Sequence, residues 1–298
     1  MMYEIYHKTA FKYESIVTFS HNIARLKPKN TPFQRLMDFD MEITPKPYEL
    51  SAFSDMFGNH TTHLLIREPH ESLSVIGRSH VELDGDAMRL HVNTLRAQST
   101  SYEASLGLLQ EFDLFDLAAK PFMFDSELIP KASRGIIEYA KRSFTPQRNL
   151  VDAAQEFMNR IYQDFQFVAG FSDITTPIEE IFEAKKGVCQ DFAQFAIAAL
   201  RSIGLPAKYL SGYIETIPAA GMPKLFGADA SHAWFALYIP RLGWMEFDPT
   251  NNIIPEDQHI LLGSGRDYND VAPLKGVVLS SGQSELSIEV NVQKMLYM

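Results

Sequence analysis

Two different periods divide the chain. Through about residue 95 apolar and polar positions alternate. In Met37-Asp38-Phe39-Asp40-Met41-Glu42-Ile43 every second residue is apolar and the residues between are acidic, which predicts a strand with one face buried and the other in water. Leu73, Val75, Val81 and Leu83 keep one parity, and Gly58-Asn59 marks a turn. An antiparallel sheet or sandwich follows. From about residue 130 the spacing becomes helical. Asn149 is placed to cap a helix with Ala154, Phe157, Met158, Ile161, Tyr162 and Phe165 along one face. Thr176-Pro177-Ile178-Glu179 offers an N-cap, a proline at the first helical position and a capping-box glutamate, with Gly187 placed to end that helix. A third helix opens at Cys189, carries Phe192, Phe195, Ala196, Ala199 and Ile203 as its apolar stripe, and closes at Gly204-Leu205-Pro206.

Strands then return over 207–214, 232–239 and 243–248, the last running into Pro249. Strands, then helices, then an antiparallel run predict an α+β fold. The expected organisation is a β-rich N-terminal domain over 1–95 and a second domain over 96–285, with 96–130 as its connecting segment. The last strand, Leu286-Ser287-Ile288-Glu289-Val290-Asn291-Val292, alternates cleanly and is expected to return, within 286–298, to the N-terminal sheet.

With 298 residues, 46% hydrophobic and 21% charged, the chain can bury a large core. Its formal charge is −10, and its longest basic pieces are Lys27-Pro28-Lys29 and Lys185-Lys186. That argues against nucleic-acid and anionic-membrane partners, both of which require clustered cations. The first residues lack the basic head and apolar stretch of a secretion signal, and no apolar run approaches the roughly 18 residues of a membrane span. A cytoplasmic protein with a reduced thiol is the expectation.

That thiol is Cys189, the one cysteine in the chain. It has no partner for an intramolecular disulfide and cannot alone make a cysteine-rich zinc site, so it is either buried filler or a nucleophile. A helix N-terminus presents unpaired N–H groups and partial positive charge, which favour a thiolate and can cradle an oxyanion. His232 begins an otherwise apolar strand after the small and acidic run Gly227-Ala228-Asp229-Ala230-Ser231. It is either a hydrogen-bonded core histidine or the base for the thiol. Asp248, in Glu246-Phe247-Asp248-Pro249-Thr250-Asn251-Asn252, suits turn chemistry, but also the carboxylate that fixes an imidazole tautomer. Each is ambiguous singly. Together, cysteine at a helix start, histidine at a strand start and aspartate at the next strand's end form the papain-like arrangement.

Other residues point to structure. Asp191 complements the helix dipole. His259, with Gly263 to Asp270, reads as a loop packed near the active-site strands or rimming the cleft. The spacing of His60, His63, His70 and His80 matches no common metal site, and neither a metal nor a cofactor is expected.

The segments Gly187-Val188-Cys189-Gln190-Asp191-Phe192-Ala193, Leu200 to Ala207, Ser211-Gly212-Tyr213, Ser231-His232-Ala233-Trp234, Gly243 to Asn251 and Gly265 to Pro273 resemble the core of bacterial transglutaminase-like proteins, often called predicted cysteine proteases. Tyr3 to Thr9, Arg25-Leu26-Lys27-Pro28 and Asp55 to Asn59 are similar to their β-rich N-terminal domain. The resemblance implies Cys189 as nucleophile, His232 as base and acid, and Asp248 as the group orienting it. It also implies acyl transfer at an amide of a peptide or protein, with hydrolysis preferred and a protein-glutamine transglutaminase as the alternative. A silent binding or scaffold module is a further reading, opposed by the intact triad. Phe167 stands where relatives often carry a tyrosine, so a hydroxyl cannot complete an oxyanion hole there; Gln166 is the substitute.

Overall fold

A computed structural model describes residues 1–215, 229, 231–279 and 281–295. Gly227, Ala228 and Ala230 of the run before His232 lie outside the described residues, as do 296–298. Six strands come first: β1 (Met2–Val17), β2 (Phe19–Ala24), β3 (Gln34–Thr44), β4 (Glu49–Ser54), β5 (His60–Ile66) and β6 (His70–Leu83). Helices α1 (Gly85–Gln98), α2 (Tyr102–Gln110), α3 (Leu114–Leu117), α4 (Arg134–Lys141) and α5 (Leu150–Asp164) follow, then β7 (Gln166–Phe167), α6 (Ile178–Ala184), β8 (Lys186–Gly187) and α7 (Cys189–Ser202). The chain continues with β9 (Ala207–Ile214), β10 (Ser231–Ile239), β11 (Gly243–Phe247), β12 (His259–Gly265), α8 (Tyr268–Val271), β13 (Leu274–Leu279) and β14 (Ser284–Met295).

Two antiparallel sheets, ordered β14-β1-β6-β3 and β13-β2-β5-β4, form the N-terminal domain. Between them lie Tyr13, Val17, Leu26, Leu64, Ile66, Leu73 and Val75, the inward parity of alternating strands. In β3 the register shifts between Leu36 and Asp38. The bulged Met37 is exposed, while Phe39, Met41 and Ile43 pack against the core beyond it. β14 pairs with β1 from Met2↔Met295 to Tyr13↔Ser284, and β13 pairs with β2. β13 thus belongs to an N-terminal sheet although it falls within 96–285. Its run Leu274-Lys275-Gly276-Val277-Val278-Leu279 has no alternation to reveal its pairing. Helical structure also starts earlier than the period suggests. α1 buries only Gly85 and Leu95, so it shows almost no apolar stripe, and its start is set by Asp84 capping Ala87 N–H.

The second domain is built around α7, where 189–202 packs against α4, α5 and α6 and against the sheet β11-β10-β9-β12. Phe192, Phe195, Ile197 and Leu200 are each at most 2% exposed, worth roughly 2 kcal/mol apiece in gross burial energy. Asn149 caps α5 by accepting from the N–H groups of Val151 and Asp152. α6 departs from its expected ends. Pro177 is its N-cap; Thr176 turns back to Asp173, and Glu179 accepts from Ser133 N–H at the start of α4 instead of closing a capping box. It stops at Lys185, which takes the left-handed conformation (φ 53°), two residues before Gly187.

The domains share a core of Tyr3, Ile5, Val81, Val290 and Val292 against Tyr213, Ile260 and Leu262. Two side-chain amides reinforce it. The Gln34 amide donates to Leu261 O and accepts from Leu261 N, both at 2.7 Å. The Asn59 amide donates to Ser264 O at 2.9 Å and accepts from Ser264 N at 2.8 Å. The N-terminal domain therefore stands in for a neighbouring strand along the outer edge of β12. His7 bonds Tyr213 Oη at 2.8 Å across the same boundary, and burial pushes its pKa down to about 4, so it is neutral there.

Candidate active site

Cys189 is half-buried at the first position of α7. Its N-cap, Val188, has no side-chain oxygen with which to cap the first turn, and no side chain among the described residues takes that role. The first-turn N–H groups are therefore left facing the thiol's surroundings. Asp191 instead reaches back, its Oδ2 accepting from Val188 N–H at 2.7 Å and from the Ser172 hydroxyl. This return is possible because residue 187 is glycine: a Cβ there would lie 2.8 Å from the Asp191 Cβ. Burial raises the Asp191 pKa, and these hydrogen bonds partly offset the rise. Asp191 thus fixes the turn that presents Cys189. β7 lies parallel to β8, with Gln166 N–H donating to Lys185 O and Val168 N–H to Gly187 O, so 166–168 runs beside the approach to the thiol. The side chains of Gln166 and Phe167 are exposed.

His232 is the second residue of β10 and is 7% exposed; Asp248, just beyond β11, is fully buried. His232 Nε2 lies 2.7 Å from Asp248 Oδ2. A carboxylate only accepts, so Nε2 carries the proton, Asn251 Nδ2 lies 3.4 Å from that same nitrogen, and Nδ1 is left for Cys189, the ring's other titratable partner. Burial disfavours an imidazolium here. The hydrogen bonds to Asp248 and Cys189, with their charge, outweigh that and push the His232 pKa up to about 10. Burial likewise works against the Asp248 carboxylate, yet its bonds from His232 and His259 hold it well below the usual carboxylate range.

His259, which the sequence reads as part of a loop, is instead the first residue of β12, 7% exposed, and its Nε2 lies 2.9 Å from Asp248 Oδ2. Asn251 Nδ2 donates to the same oxygen at 2.7 Å, while Oδ1 accepts from the N–H groups of Thr250 and Asn251. The contact of His259 with Asp248 is not legible in the sequence, because neither spacing nor period relates 259 to 248; only the order of strands does, whereas Asn251 belongs to the turn that Asp248-Pro249-Thr250-Asn251 already suggests. β9 lies between β10 and β12, with Gly212 opposite His232 on one side and Leu261 on the other. A Cβ at Gly212 would sit 2.0 Å from Ile260 O and 2.7 Å from Trp234 Cη2. The bare backbone lets Trp234 lie over β9, its ring stacked on His232 at 5.9 Å and edge-on to His259 at 5.1 Å. Trp234 is fully buried and donates to Glu246 Oε2 at 2.7 Å, so it walls the site from within.

His60 and His63 lie on β5, and His70 and His80 on β6, where His70 bonds Glu68 O and His80 bonds Asp38. His232, Asp248 and His259 do bring ligand-capable atoms within 4.8 Å of one another. Those atoms already satisfy each other as hydrogen-bond donors and acceptor. A cavity of about 660 Å³ elsewhere, lined by residues such as Thr31, Arg89 and Asp257, has neither a cysteine nor a histidine in its lining. Convergent chemistry, not cavity size, marks the site. Among the described residues no helix is long and apolar enough to cross a membrane.

Two family models match the chain: the bacterial transglutaminase-like N-terminal region over 3–82 and the transglutaminase-like superfamily core over 137–249. An uncharacterised protein of Mycobacterium tuberculosis is 34% identical over 294 residues, covering 97% of this chain and 91% of its own. Over 78 residues, 26% of this chain and 12% of the relative, the chain is 35% identical to a Pseudomonas aeruginosa protein named protein-glutamine gamma-glutamyltransferase. The crystal structure of a Cytophaga hutchinsonii protein, proposed to be a cysteine protease, superposes with a TM-score of 0.72 at 21% identity, covering 100% of this chain and 92% of that one. That likeness establishes the fold: a transglutaminase-like, papain-like α+β core with antiparallel sheets.

Proposed function

Because the chain belongs to the bacterial transglutaminase-like proteins, we infer that it is a thiol enzyme of acyl transfer, cleaving amide bonds of peptides or proteins with water as the acceptor. The observation that carries this reading is the imidazole of His232, held by Asp248 on Nε2 and partnered by Cys189, with the thiol at the open first turn of α7. The raised basicity of His232 favours a thiolate–imidazolium pair. Sγ attacks the amide carbonyl carbon, and the oxyanion is met by first-turn N–H groups, that of Cys189 included. As the C–N bond breaks, Nδ1 of His232 gives its proton to the leaving amine or ammonia, and a thioester remains. His232 then takes a proton from water, the hydroxide adds to the thioester, and the acid leaves with the thiol restored.

The transglutaminase reading, in which a second amine resolves the thioester, is favoured by the 78-residue similarity to the Pseudomonas protein of that name. Incubation with a peptide library, comparing wild type with Cys189→Ala by mass spectrometry, separates the outcomes. New termini mean proteolysis, a gain of about one mass unit at glutamine means deamidation, and cross-linked species mean transamidation. Identical products from both proteins refute the mechanism. For a silent binding module, Cys189 would alkylate near pH 6 no faster than free cysteine.

A further inference from the structure

Asp248 Oδ2 accepts from three side chains, His232 at 2.7 Å, His259 at 2.9 Å and Asn251 at 2.7 Å. Oδ1 accepts from two backbone N–H groups. Asp248 is fully buried, and any rotation of its carboxylate short of the half-turn that exchanges the two equivalent oxygens weakens several of these bonds. Asn251 is exposed and belongs to the same turn as Asp248, so it moves with that turn. His259 does not. It comes from β12, whose backbone at Leu261 and Ser264 is gripped by Gln34 and Asn59 of the N-terminal domain. Among the described residues it is therefore the one side chain that ties the carboxylate to a different strand from either His232 or Asp248 itself.

We propose that His259 is a positioning residue of the catalytic apparatus: its Nε2–H locks the Asp248 carboxylate against rotation, and so holds His232 toward Cys189. This rests on the thiol-enzyme reading above. Among the described residues His259 Nδ1 lies buried with no hydrogen-bond partner, so the bond of Nε2 to Asp248 is the one polar contact of the ring. Burying that unpaired nitrogen carries a desolvation cost, which the bond to an ionised acceptor offsets. The titratable neighbours of His232 are Asp248 and Cys189, with the His259 ring 5.8 Å away and Glu246 reached only through Trp234. No second carboxylate bonds the His232 ring among the described residues.

The sole cysteine makes the test independent of substrate. The pH dependence of Cys189 alkylation by iodoacetamide reports the thiolate–imidazolium pair directly. Wild type is expected to show a reactive plateau that includes pH 6. His259→Phe, which fills the site but donates nothing, is expected to lose about 10-fold in rate at pH 6, with the alkaline end of the plateau moved to lower pH. His259→Gln, whose amide nitrogen reaches the position of Nε2, is expected to restore the wild-type profile. A folded His259→Phe protein with an unchanged profile, or one shifted to higher pH, overturns the proposal. If wild type itself reacts like free cysteine, the thiol-enzyme reading fails first. Should His259→Phe not fold, nitrogen NMR of histidine-labelled wild type decides alone. His259 must carry a proton on Nε2; protonation at Nδ1 alone leaves it unable to donate to Asp248 and refutes the role.

Discussion

Gly212→Ala tests how tightly the fold and the site are coupled. The added methyl has no room. It would lie 2.0 Å from the carbonyl oxygen of Ile260 and 2.7 Å from Trp234 Cη2, well inside ordinary contact. The first obstacle is backbone and the second is a fully buried indole, so neither is the far end of a flexible side chain. Relief requires β9 and β12 to separate by about 1 Å where His259↔Ile214, Ile260↔Tyr213 and Leu261↔Gly212 are paired. Overfilling a well-packed interior costs about 1–3 kcal/mol, and the loss of ladder hydrogen bonds adds about 1 kcal/mol each. A total of roughly 3–5 kcal/mol is expected, or on the order of 6–15 °C in Tm for a chain of this size. The assay is thermal unfolding by circular dichroism, paired with the rate of Cys189 alkylation at pH 6. Because Trp234 and His259 both move, the alkylation rate should fall even at temperatures where the melting curve shows the variant folded. A melting temperature within 1 °C of wild type, or a destabilised protein with an unchanged thiol, would show that Gly212 does not link β12 to the site.

Asp248→Asn should reduce Cys189-dependent turnover by about 10²–10⁴-fold, with the alkaline limb of the pH–rate profile moved to lower pH, since the His232 imidazolium loses its counter-charge; a limb left in place would contradict the pairing. Stability should follow the same groups. His232 is raised to about 10, so its contribution is complete below about 6.5 and disappears as pH climbs toward 10. Asp248 is lowered, so its contribution is complete above about 4 and fades in acid. The gap in Tm between wild type and His232→Gln should therefore be widest between about pH 4 and 6.5 and narrow by pH 10; a gap that grows with pH refutes the assignment. Asn59→Ala leaves the buried N–H and C=O of Ser264 unpaired and should cost roughly 2–4 kcal/mol, read from the urea midpoint, with Asn59→Asp recovering only the bond from Ser264 N–H.

Much of this protein is legible in one dimension. The parity of Leu73, Val75, Val81 and Leu83 marks an inward face, and each is at most 4% exposed. Asn149 caps the helix that its stripe predicts, and Cys189 opens α7. Periodicity works there because each residue's environment is set by neighbours two to four positions away. It fails for α1, whose few buried residues leave no stripe, and for β13, an apolar run that acquires its meaning only beside β2.

The candidate site divides along the same line. Residue type and local position alone nominate Cys189, His232 and Asp248, because a thiol at a helix start and polar groups at the ends of apolar strands need explaining wherever they occur. Their meeting depends on strand order. So does the place of His259, eleven residues from Asp248 in sequence but separated from the end of β11 by both β10 and β9 in the sheet, reaching it where Gly212 leaves room. The chain's short-range pattern determines which elements form and which side chains are costly to bury. Only tertiary structure decides that the N-terminal domain grips β12 through Gln34 and Asn59 and that one carboxylate oxygen serves two imidazoles. Hydrogen bonds across the sheet depend on distance in space, and the linear sequence carries no record of that distance.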